Sequence, residues 1–175
     1  MYRLLIHFRQ QPALSRRIQI SQDTALWLQK HLLGLDHEDW GLVYLLYGNL
    51  ASVPPDTAAR WQLAVDSIYR GLAAGLIAVN DFGATSDRAS FLQAIRALDP
   101  CGDGAGFWHA TLVYGTERLS KLIEVHFPLR SERDGKLNPD FIAALEQIFA
   151  ESGVPWSDTP LLPIIPTSSR APTEN

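Results

Sequence analysis

The chain has 175 residues, 46% of them hydrophobic, and a formal net charge of −4 at pH 7. That composition supports one domain with its own core, and no apolar run nears the ~20 residues that cross a bilayer. One cysteine excludes an internal disulfide and a cysteine-rich zinc site.

The elements follow in chain order. YRLLIHF (2–8) reads as a strand, and RRIQIS (16–21) alternates and pairs with it in an N-terminal β-hairpin. Ser21 then caps a helix over QDTALWLQKHLLGL (22–35), which Gly34 ends. Asp36 caps a second helix, HEDWGLVYLLYGNL (37–50), with Asp39 three residues on. Trp40, Val43, Tyr44, Tyr47 and Leu50 fall at i, i+3, i+4, i+7 spacing, and leucines fill the other side. That pattern places the helix centrally or under a partner on its second face, and its aromatics read as core, the alternative being an aromatic recognition surface.

Pro54-Pro55 breaks the chain and Asp56 caps the next helix, whose stripe holds Trp61, Val65, Ile68, Leu72, Leu76 and Val79. It is expected to end near Gly75, with LIAV turning into a short strand. After the loop NDFGATSD (80–87) comes a helix over 88–99. DPCGDGAGFWH (99–109) reads as a loop, and FWHATLVYGTERLSKLIEVHF (107–127) has a buried first half and a helix capped by Thr116. Within it, IEVHF alternates as a strand would, so periodicity leaves 107–127 open between helix and strand. Asn138 caps a last helix with Pro139 at its first position. From Val154 the chain has five prolines and reads as an extended, poorly ordered tail, although LLPII (161–165) is apolar enough to dock. The expectation is therefore an α+β, mostly helical domain over 1–153, with the N-terminal hairpin and one or two further short strands, and a tail over 154–175.

The search for chemistry yields little. Cys101 and His109 share a loop, but Asp99 and Asp103 flank the thiol and disfavour its thiolate. Glycines 102, 104 and 106 are spaced G-x-G-x-G, not as a dinucleotide fingerprint. His37, Glu38 and Asp39 are consecutive and so do not share a helix face; His31 is their only plausible helper as a metal ligand. Asp81-Phe82-Gly83 stands without the other kinase motifs. No cofactor and no metal are expected, and the reading is of a protein that is not an enzyme. Residues 1–35 carry +4, 36–100 carry −4, 101–138 are neutral and 139–175 carry −4. Without a basic stripe, nucleic acid is not an expected partner. MYRLLIHFRQQ lacks the long apolar region of a signal peptide, so a cytoplasmic location without membrane association is expected.

DHEDWGLVYLLYGNL, RWQLAVDSIYRGLAAGLIAVND and the acidic loop DPCGDGAG resemble, across 36–127, bacterial immunity proteins against toxins of type VI or contact-dependent systems. The resemblance implies a protein-binding module that blocks a cognate toxin. The contact residues it implies are Asp36, Glu38, Asp39, Asp99, Asp103 and an exposed Trp108. The rival readings are a small enzyme built on the Cys101/His109 loop and a helical transcription regulator or adaptor subunit. Within 56–79 only Arg60 and Arg70 are basic, which is thin for a recognition helix.

Overall fold

A computed structural model describes residues 20–48, 53, 57–80, 87–129 and 135–166. Along these the order is α1 (Gln22–Gly34), β1 (Trp40–Gly41), a 3-10 helix η1 (Leu42–Leu46), α2 (Ala58–Ala73) and β2 (Ile77–Val79). Then come α3 (Arg88–Ala97), α4 (Ala105–Ala110), β3 (Leu112–Gly115), α5 (Glu117–His126) and α6 (Pro139–Glu151). The fold is mostly helical α+β, as the sequence predicts. The predicted N-terminal hairpin lies outside the described residues, apart from its last two.

The three strands form one antiparallel sheet in the order β1-β3-β2. Trp40 faces Val113 and Gly41 faces Leu112 across β1 and β3, while Val79, Ala78 and Ile77 oppose Val113, Tyr114 and Gly115. The helices bury their apolar stripes against it and each other. Trp27, Trp61, Ile68, Phe91, Trp108, Ile123, Phe141 and Phe149 belong to one continuous core.

Local chemistry explains most boundaries. Ser21, Asp87, Thr116 and Asn138 each accept a main-chain N–H in the first turn of the helix they precede. Thr57 performs this for α2, accepting from Arg60 N–H; Asp56, the predicted cap, lies outside the described residues. Residues 107–127 prove to be mixed: the end of α4, strand β3 and helix α5, so IEVHF is helical.

Two expectations are corrected. The second helix over 37–50 is replaced by a turn, a two-residue strand and a 3-10 helix. Strand β3 takes up Trp40 and Gly41, and Leu42 N–H donates to the Thr111 carbonyl at 3.0 Å. Sheet pairing there outweighs helical periodicity. Asp36 accordingly caps no helix; its carboxylate lies 3.3 Å from His37 Nε2.

The second correction concerns the tail, of which residues 167–175 lie outside the described residues. Residues 154–166 run as a strap along α2. Gln62 brackets Pro163, its Nε2 donating to the Leu162 carbonyl at 3.0 Å and its Oε1 accepting Ile164 N–H at 2.9 Å. Asp66 Oδ1 accepts Leu161 N–H at 3.2 Å. Ile165 N–H donates to the Arg96 carbonyl at 2.6 Å. Val154 is buried and Trp156, Leu162 and Ile164 pack on the core. Arg70, fully buried, donates to the Pro155 carbonyl and lies 4.7 Å from the Trp156 ring centroid, paired with Asp66 at 3.1 Å. Burial outweighs the pairing at both ends: it pushes the Asp66 carboxyl up and the Arg70 guanidinium down.

Candidate binding face

Segment 36–47 exposes a strip of aromatic side chains. Because η1 is a tight 3-10 turn, Leu42, Val43, Leu45 and Leu46 point inward while Tyr44 and Tyr47 are 55% and 51% exposed. Both tyrosines, expected in the core, therefore stand in solvent. Trp40 is half-buried beside them. The ring centroids of Trp40 and Tyr44 are 6.0 Å apart, and those of Tyr44 and Tyr47 are 6.2 Å apart.

This aromatic strip rests on side chains of α1 and α2. His31 Nε2 lies 3.1 Å from the Tyr44 carbonyl, and Trp27 Nε1 donates to the Tyr47 carbonyl at 2.9 Å. Arg60, 1% exposed, reaches the Gly48 carbonyl at 3.3 Å and also the Val53 carbonyl. His31 Nδ1 faces the Trp27 carbonyl at 2.8 Å, so a neutral ring, with its single N–H, donates to only one of the two carbonyls. Burial nevertheless holds the His31 pKa below its ordinary value, since desolvation penalises the cation more than two carbonyls favour it. Two glycines admit the packing. A Cβ on Gly34 would fall 2.1 Å from the Trp40 ring, and Gly48, at φ +94°, tucks against His31 and Trp27.

The residues implied by the immunity resemblance divide into two groups. Glu38 and Asp39 are exposed at the Trp40 end, where Trp40 Nε1 donates to Glu38 Oε2 at 3.3 Å, and Asp36 is half-buried against His37. Asp103 is exposed in the turn before α4. Asp99 is half-buried and its Oδ1 accepts Cys101 N–H at 2.8 Å, so it shapes that turn. Trp108 contradicts its expectation. It is fully buried, with Nε1 donating to the Leu98 carbonyl at 2.8 Å. The loop reading of 99–109 fails there because 105–110 coil into α4, which turns Trp108 into the core.

That helix also bears on the Cys101/His109 pair. Cys101 lies in the turn before α4, on a groove of about 110 Å³ with Leu46, Trp61 and Pro100. His109 lies in the last turn of α4, its carbonyl beside Gly41. The two side chains thus belong to opposite ends of a helix. Among the described residues no group of three or more His, Cys, Asp or Glu is arranged to hold a metal. No helix of the described residues is long and apolar enough to cross a membrane.

No family model, curated protein or solved structure matches this chain.

Proposed function

We propose that the protein is a protein-binding module that works through the face formed by Trp40, Tyr44 and Tyr47 with Glu38 and Asp39 at its edge. Its finer role is that of an immunity protein that binds and neutralises a cognate bacterial toxin, acting in the cytoplasm. One observation carries the reading: two tyrosines more than half exposed on a turn whose Tyr47 carbonyl is fixed from below by the Trp27 indole N–H. Tyrosine and tryptophan dominate interface hot spots because they bury much area for little lost rotamer freedom. A turn already rigid adds little further ordering cost on binding.

The double variant Tyr44→Ala/Tyr47→Ala tests this, since its side chains lie mostly outside the core. The wild-type protein is expected to capture one specific partner from cells of its source and to relieve the growth arrest caused by expressing that partner alone. The variant is expected to keep its circular dichroism and lose capture by about a hundredfold, as removal of two hot spots would. Full capture and relief by the variant would refute the reading.

A further inference from the structure

We infer that the partner meets this face with arginine side chains, a guanidinium lying on the tyrosine rings and pairing with Glu38 and Asp39. The inference rests on the binding face proposed above and adds the chemistry of what is bound.

Charge distribution is the first support. Residues 31–48 hold three acids and no Lys or Arg, and residues 97–116 hold two acids and no Lys or Arg. The fold packs these two stretches together, with α4 against η1 and β1. Glu38 and Asp39 are exposed beside Trp40, and Asp103 is exposed before α4. Glu38 and Asp39 make no ion pair with a Lys or Arg among the described residues, while Arg60 is buried and bonded to main-chain carbonyls. A face so charged repels polyanions and accelerates encounter with a cationic protein surface.

Ring chemistry selects within the cations. The negative face of an aromatic ring attracts a cation above it. Guanidinium, planar and weakly hydrated, stacks on that face while its fork bonds a carboxylate bidentately; ammonium, a strongly hydrated point charge, does so less well. Glu38 is already fixed by Trp40 Nε1, which places a carboxylate at the edge of the strip. The chain uses this combination internally, where Arg70 lies over the Trp156 ring and pairs with Asp66.

The test titrates the full chain with a short Gly-Arg repeat peptide, its Gly-Lys counterpart and its Gly-citrulline counterpart, followed by tyrosine-ring NMR. The Gly-Arg peptide is expected to shift the Tyr44 and Tyr47 signals and to bind about fivefold more tightly than Gly-Lys, with no binding by citrulline. Glu38→Gln/Asp39→Asn, which keeps the acceptor for Trp40, should remove most of that affinity. So should raising salt from about 0.1 M to about 1 M, which shortens screening from about 10 to about 3 Å. Equal binding by citrulline or by spermidine, or shifts confined to other residues, would overturn the inference. The outcomes separate it from the parent reading. Partner capture lost in Tyr44→Ala/Tyr47→Ala but unaffected by Glu38→Gln/Asp39→Asn or by salt leaves the binding face standing and removes the arginine. Capture that survives loss of both tyrosines removes the face itself.

Discussion

His31 and Gly48 together show how single residues set the binding face. Gly48 adopts φ +94°, and a Cβ there would come 3.1 Å from His31 Cε1 and 3.3 Å from Trp27 Cδ1. Gly48→Ala is therefore expected to lower stability by about 1–2 kcal/mol, combining backbone strain with crowding; urea denaturation measures it. His31 makes the face acid-sensitive. Its folded pKa lies below the ordinary value because burial disfavours the cation. The unfolded chain then binds the extra proton, so its stabilising contribution is complete above about pH 6.5 and is lost as pH falls toward the folded pKa. Urea midpoints of the wild type should decline over that interval, and those of His31→Gln should decline less. A steeper decline in the variant would contradict the assignment. Ser21, Thr116 and Asn138 were legible as caps, because a cap is settled within four residues of sequence. Trp108 was not: its direction depends on the six-residue helix α4, which the three nearby glycines disguise as loop.

At the level of elements, segment 36–47 and the strap share one reason for being misread. Both are organised by partners far along the chain. Trp40 pairs with Val113, and the strap is gripped by Gln62, Asp66 and Arg70, on one ridge of α2 at four-residue intervals. The i, i+3, i+4 pattern of 40–47 is genuine, but a strand end leading into a 3-10 turn buries the same leucines and turns the tyrosines outward. Four prolines within 154–166 suggest disorder by composition, yet half-buried Trp156, Leu162 and Ile164 supply the apolar contacts that composition averages away. Trp156→Ala removes the stack on Phe149, with centroids 6.3 Å apart, and uncovers Arg70. The expected loss is about 2 kcal/mol. Limited proteolysis should then cut after Gly153 while α2 and α6 stay protected; unchanged resistance would show that the strap is held by its hydrogen bonds alone.

Across the whole molecule, helices, sheet and strap contribute to one core cluster, without a second centre among the described residues. Unfolding in urea should therefore follow a single transition in which far-ultraviolet circular dichroism and tryptophan fluorescence coincide. A separate early fluorescence change would mean that the strap opens on its own. The fold class was legible because caps and stripes are local. The candidate face was legible only as an alternative, since the aromatics of 36–47 suit core and recognition surface alike until the turn that carries them is known.

The spacing of the strap prolines has its own consequence. Pro160, Pro163 and Pro166 have no N–H, and the amides of Leu161, Ile164 and Ile165 are spent on the body. The outer rim of this extended segment thus offers far more oxygens than donors. A second extended chain finds little there to pair with, so exposed Leu161 and Ile165 are expected not to seed aggregation when the protein is concentrated.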